Sequence, residues 1–185
     1  MNFEPIRFAP VDNRLPPDVQ QANEEFSALN YAIEDDVQAS HEKRQALKTK
    51  PGNIAKEATA WRGGIDTIRT RARELRCQLG DFWSNRVIPG YLKLYNEAAN
   101  NQEPIESRIG KALIEAGFAD LPHGGRGAAP RAAILNHPEY LKNIALVNDY
   151  GALMEASRKM IQENEAAIER IDAQMERSRE KLLSV

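Results

Sequence analysis

Apolar residues recur at helical spacing along three long stretches of this chain. The first stretch follows Pro17, which suits the first turn of a helix, and Asp18, which is favourable at the positive N-terminal end. We predict a long helix here that ends before Pro51 and Gly52, two residues that break helices. Its heptad row consists of Val19, Phe26, Ile33, Ser40 and Leu47.

The second stretch has the strictest period in the chain. Nine apolar residues alternate at intervals of four and three, which is a strong coiled-coil signal. They are Ile54, Ala58, Trp61, Ile65, Ile68, Ala72, Leu75, Leu79 and Phe82. Gly63 and Gly64 lie outside these positions, so we predict one helix that continues through the glycine pair and is weak or bent there. The alternative is a phosphate-binding loop, but no strand precedes the pair and no lysine follows it directly.

Folding the second helix back on the first at Pro51 predicts an antiparallel helical hairpin. In one register every large residue of the two stripes has a partner. Ser40 lies opposite Trp61, and its small side chain leaves room for the indole. The other predicted pairs are Val19 with Phe82, Phe26 with Leu75, Ile33 with Ile68, and Leu47 with Ile54.

The last stretch predicts a helix from Pro138 to about Leu183. Its main row is apolar throughout, whereas a companion row contains Ser157 and Asn164. The main row consists of Tyr140, Val147, Met154, Ile161, Ile168, Met175 and Leu182. Because the first third is apolar on more sides, we predict that the helix begins in a separate helical region and passes onto the hairpin near Gly151.

Prolines and glycines replace the long period between the second and third stretches. They predict two or three short helices, one of them Ile105–Ala116, with Pro104 in its first turn and Gly117 at its end. The fold class is therefore all-α, with a coiled-coil-like three-helix stalk. The predicted organisation is an extended proline-rich arm (1–16), an antiparallel helical hairpin (17–83), a small helical head (84–137) and a long C-terminal helix that completes the stalk (138–185).

Composition narrows the class of protein further. The net charge of −2 gives no general attraction to nucleic acid or to an anionic membrane. The single cysteine, Cys77, excludes an internal disulfide and fits a reducing compartment. The start of the chain lacks the pattern of a signal peptide, and no window approaches the ~18 apolar residues of a membrane span. We expect a cytoplasmic protein, or a part of a particle assembled inside the cell, without membrane contact.

Three arginines of the second helix share one row beside the apolar stripe: Arg62, Arg69 and Arg76. Such a row is also typical of a nucleic-acid-binding helix. However, both other long helices carry many carboxylates, and opposite charges beside a seam commonly set the register of packed helices. We therefore predict that these arginines pair with neighbouring helices.

The end of the stalk opposite the head is the candidate partner-binding tip. Cations cluster where the first and last helices end, and they could bind an acidic partner or a phosphate. The alternative is structural, since cations stabilise helix C-termini. The tip consists of Lys43, Arg44, Lys48, Lys50, Arg177, Arg179 and Lys181.

The head contains one glycine-rich segment, "PHGGRGAAPR", whose Arg126 and Arg131 make it a candidate anion-binding loop. A turn between helices is the alternative for the same segment. The histidines are scattered, and Cys77 has no obvious base beside it. We predict no catalytic residues, cofactor or metal.

Together these features predict a non-catalytic coiled-coil assembly, adaptor or scaffold subunit. Its partners would be other protein chains, including a second copy of itself. The alternative is a nucleic-acid or phosphate-binding accessory factor that uses the basic tip or the glycine-rich loop.

Overall fold

The computed structural model describes residues 10–49, 54–118 and 130–183, apart from the side chains of residues 47–49, 54–58, 178, 179 and 181–183. In these ranges the fold is all-α and contains no strand. The helices are α1 (Pro17–Thr49), α2 (Ile54–Phe82), α3 (Ile88–Asn100), α4 (Gln102–Glu115), α5 (Arg131–Leu135) and α6 (Pro138–Leu183). The first nine residues of the predicted arm lie outside the described ranges. None of the described helices has a stretch apolar enough to cross a bilayer.

The chain divides into two compact units. One contains residues up to Val87 together with those from Ser157 onward, and the other is Ile88–Ala156. In the first unit α1 and α2 are antiparallel. Residues that come later in α1 contact residues that come earlier in α2. The contacts are Phe26 with Phe82, Asp36 with Arg71, and Ser40 with Trp61, and Asp18 at the start of α1 contacts Arg86 in the turn that follows α2.

The predicted pairing of Ser40 with Trp61 is confirmed. The indole Nε1 of Trp61 donates a hydrogen bond to the backbone oxygen of Ser40 at 2.9 Å. The register predicted for the other end of the hairpin is wrong, because the ring of Phe26 lies against Phe82 with centroids 5.1 Å apart. Phe82 is one heptad beyond the predicted partner, Leu75. Tilted aromatic contact is favourable in its own right, and a stripe pattern does not report it.

Helix α2 runs without a break through Gly63 and Gly64, as predicted, and the weak or bent point expected there stays a prediction. A Cβ at Gly63 would meet nothing within 4 Å. We therefore expect Gly63→Ala to raise the free energy of unfolding of the first unit by about 1 kcal/mol, because alanine has the higher helix propensity. Urea denaturation followed by far-UV circular dichroism measures this change.

Gly117 provides the matched control, because its φ of +85° is a conformation that alanine adopts only with strain. Gly117→Ala should lower the stability of the second unit by about 1 kcal/mol. A loss of stability in Gly63→Ala would contradict a regular helix at the glycine pair.

Helix α2 ends at Phe82, together with its apolar period, but no loop follows it and the backbone stays helical to Asn100. Trp83–Val87 forms a π-helical turn that joins α2 directly to α3. A π-turn adds one residue to the helical repeat, so the heptad pattern stops although the helix does not. Pro89 follows this turn at the start of α3. Proline has no backbone N–H to donate, but at this position the π-helical turn already interrupts the regular series of helical hydrogen bonds.

In the first unit the buried row of α6 differs from the predicted main row, whereas Tyr140 and Met154 of that row are buried in the second unit. Ile161 and Ile168 of the main row are only half-buried. The residues buried in the first unit are Ser157, Met160, Asn164, Ala167 and Ile171. The interrupted companion row therefore lies at the centre of the packed face, and the apolar main row flanks it.

The second unit has its own small core, formed by Ile109, Ile134 and Tyr140. Gln102 donates a hydrogen bond to the hydroxyl of Tyr140 at 2.8 Å. The side-chain amide of Asn143, which is buried, donates to the backbone oxygen of Ala98 at 2.9 Å. Helix α4 ends as predicted, at a glycine in the left-handed conformation whose neighbour Phe118 donates to the oxygen of Leu113.

Candidate functional site

The row of arginines on α2 divides between the interior and the surface. Arg76 has 1% of its surface exposed and Arg69 has 5%, whereas Arg62 is exposed. The contacts of Phe26 with Phe82 and of Asp36 with Arg71 place Arg76 level with the buried segment of α1 around Ile33. Two of the three guanidinium groups are thus enclosed by packed helices, so this row does not form a basic surface stripe.

Other arginines of α2 pair with neighbouring helices. Arg71 contacts Asp36 of α1, and Arg73 Nε lies 2.8 Å from Asp172 of α6. The hydrogen bond from Arg73 to Asp172 raises the pKa of the guanidinium above its ordinary value. The interhelical pairing predicted for the row of Arg62, Arg69 and Arg76 is thus seen at Arg71 and Arg73, which lie outside that row. The two residues are on opposite sides of α2, since two positions correspond to a rotation of about 200°.

Polar side chains occupy buried positions on all three helices of the first unit. On α2 these are the two buried arginines of the row described above. On α1 they are Asn23, Asn30 and Ser40, and on α6 they are Ser157 and Asn164. Asn30 donates to Glu34 at 3.2 Å, while the side-chain oxygens of both α1 asparagines are buried without a hydrogen-bond partner among the described residues. Sequence reasoning placed Ser40, Ser157 and Asn164 in helical rows but missed the two asparagines of α1. The available signal was the spacing of the two asparagines, which are seven residues apart and four residues after Val19 and Phe26.

Only part of the candidate tip lies within the described side chains. Lys43, Arg44 and Arg177 are exposed. The guanidinium of Arg44 lies 5.6 Å from the ring centroid of Trp61, which is a cation–π contact. Lys50 and the side chains of Lys48, Arg179 and Lys181 lie outside the described part of the chain.

The candidate anion loop has one described arginine. Arg131 begins α5, is exposed and contacts Glu106 of α4 at 2.5 Å. This hydrogen bond lowers the pKa of Glu106 below its ordinary value. Arg131 thus joins two helices of the second unit, and Arg126 lies outside the described residues.

The large apolar residues predicted to form the seam between the three long helices are buried to different extents. Ile33, Leu75, Leu79 and Phe82 are buried. Phe26, Trp61, Ile65, Ile68, Ile161 and Ile168 are half-buried, and the side chain of Ile54 lies outside the described part.

An open groove of about 610 Å³ lies between α1 and α2 on the side of α2 that carries Arg71. Its floor includes Ser40, which is buried, and the half-buried Trp61 and Ile68. Small residues form much of its walls, among them Ala39, Ala46, Ala60 and Gly64. Sequence reasoning missed the groove, because small residues outside the apolar stripe were given no role.

The described residues contain no cluster of three or more His, Cys, Asp or Glu side chains placed to hold a metal ion. Cys77 is exposed. Comparison with protein-family models, curated proteins and solved structures finds no match to this chain.

Proposed function

We propose that this chain is a non-catalytic assembly subunit that holds other protein chains through a coiled-coil-like three-helix stalk and a small helical head. The observation that carries the proposal is the set of polar residues in the packed faces of α1 and α6. Buried asparagines reduce the stability of packed helices, but they select one register and one set of partners over others. Such selection matters most in a protein whose task is specific helix pairing.

The distribution of charge also supports an assembly role. Arg62 is exposed. The other arginines of α2 are enclosed, as Arg76 is, or paired across helices, as Arg71 and Arg73 are. Their positive charge therefore stabilises this fold rather than forming a surface for nucleic acid. Lys43, Arg44 and Arg177 are exposed, and we propose that they contact an acidic protein surface.

Crosslinking in the native cells, with the tagged full chain as bait, tests the proposal. Mass spectrometry should recover defined protein neighbours whose crosslinks map to a restricted part of this chain. Changing Lys48, Lys50, Arg177 and Arg179 together to glutamine should weaken the crosslinks at the tip. The matched control changes four exposed lysines elsewhere, Lys93, Lys111, Lys142 and Lys159, and should leave those crosslinks unchanged.

The opposing result is specific binding of labelled DNA or RNA. If such binding persists at about 150 mM salt, where exposed charges are strongly screened, and is lost in the first quadruple variant only, the chain is a nucleic-acid-binding factor. The assembly proposal would then be wrong.

A further inference from the structure

The outer face of the hairpin, opposite the side on which Arg73 contacts α6, has a depression and a projection at separate places. The depression is the groove, where Gly64 and Ala39 allow another chain to approach closely. The projection is Leu29, whose surface is 48% exposed although leucine favours burial. Leu29 shares a heptad row with Asp36 and Lys43, both of which line the groove, so it faces the same side of α1.

Charge also differs between the two ends of this face. Lys43 is exposed at the groove, where Arg71 is neutralised by Asp36. Glu25, eighteen residues earlier on α1, is exposed near the other end. At 1.5 Å per residue the two side chains start about 27 Å apart, well beyond the screening length of about 8 Å at physiological salt. They do not compensate each other within one chain.

We propose that a second copy of this chain docks antiparallel on this face, each copy inserting its Leu29 into the groove of the other. A twofold axis beside Asp35 places Leu29 of one copy at the level of His41 in the other copy. His41 is in the middle of the α1 segment that lines the groove. The same axis brings Lys43 within one helical turn of Glu25 of the partner subunit. A twofold interface is self-complementary, so the depression meets the projection twice and the positive end meets the negative end twice. This inference rests on the proposed assembly function and specifies one of its partners.

Charge reversal tests the pairing, with the mass in solution measured by sedimentation equilibrium on the full chain. The wild type should associate to twice the 20.8 kDa of one chain. Lys43→Glu and Glu25→Lys should each weaken the dimer about tenfold, because each variant places like charges together at two symmetric sites. The double variant should restore the wild-type affinity. Rescue within one chain is excluded by the separation of the two residues.

A second pair of variants tests the docking of Leu29. Leu29→Glu should dissociate the dimer, whereas Tyr31→Glu, at a more exposed site on another side of α1, should not. In a Cys77→Ser background, Leu29→Cys combined with Ala39→Cys should form a disulfide between copies on oxidation. Ten residues of helix separate these positions by about 15 Å, too far for a bond within one chain.

Several outcomes would overturn the proposed dimer. They are a wild type that remains monomeric up to millimolar concentration, a dimer that the charge reversals leave unchanged, and a dimer that Tyr31→Glu dissociates as readily as Leu29→Glu does. None of these outcomes would contradict the proposed assembly function, because that function is tested separately by crosslinks to other proteins. Conversely, a confirmed dimer with no other protein neighbour would leave the dimer standing and contradict a role in a larger complex.

Discussion

Arg76→Ala is expected to lower the free energy of unfolding of the first unit by about 3 kcal/mol, whereas Arg62→Ala should change it by less than about 0.5 kcal/mol. The two arginines share one row of α2, two heptads apart, and differ in burial. Arg76 is 1% exposed and has interaction partners in the structure, while Arg62 is exposed. Removing the buried side chain leaves a cavity in place of its aliphatic stem and removes the contacts of its guanidinium.

Urea denaturation of the two variants, followed by circular dichroism, gives the comparison directly. Equal, small effects of Arg62→Ala and Arg76→Ala would contradict the burial of Arg76. They would also reopen the interpretation of the row as a nucleic-acid-binding stripe, in which the two arginines are equivalent. A parallel filter-binding assay with labelled DNA distinguishes these cases, because a stripe requires both variants to lose affinity.

The long helices were predictable from the sequence because their apolar residues repeat over many turns. The signal in α2 is strong enough that two glycines do not obscure it, and a helix interior tolerates them at a cost of about 1 kcal/mol each. Likewise Gly117 marked the end of α4, since the left-handed conformation there favours glycine. These are local preferences, and a single sequence contains all of the information that they require.

The pattern of apolar residues did not predict which row of α6 is buried in the first unit. A pattern of apolar residues selects Ile161 and Ile168, yet the centre of the packed face passes through Ser157, Asn164 and Ile171. Small and polar side chains fit where helices approach closely, and that distance is set by the neighbouring helices rather than by α6. The asparagines of α1 were overlooked for the same reason.

The groove and the continuation of α2 depend on geometry that a sequence pattern does not contain. Trp83–Val87 inserts a π-helical turn, after which Pro89 no longer ends the helix. Leu79, Trp83 and Val87 are then buried at intervals of four, which breaks the alternation of four and three. The groove exists because residues from two helices leave space at the same level, so neither helix alone predicts it.

Trp83 is where the interior of the first unit should be most sensitive to substitution. Its side chain is 3% exposed, and we expect Trp83→Ala to lower the free energy of unfolding by about 3–5 kcal/mol, the usual cost of truncating a buried aromatic residue. Trp83→Phe should cost less than about 1 kcal/mol. The indole Nε1 of Trp83 is buried and has no hydrogen-bond partner among the described residues, so its removal relieves a desolvation penalty of about 1–3 kcal/mol that offsets the lost contacts.

Trp61 provides the control, because its Nε1 donates to the backbone oxygen of Ser40 at 2.9 Å. Trp61→Phe should therefore cost about 1 kcal/mol for the lost hydrogen bond although Trp61 is only half-buried. Urea denaturation followed by circular dichroism separates the two tryptophans. If Trp83→Phe proved as destabilising as Trp83→Ala, Nε1 would have to donate a hydrogen bond. The interior around Trp83 would then be a satisfied polar network, rather than an apolar contact that tolerates one unsatisfied donor.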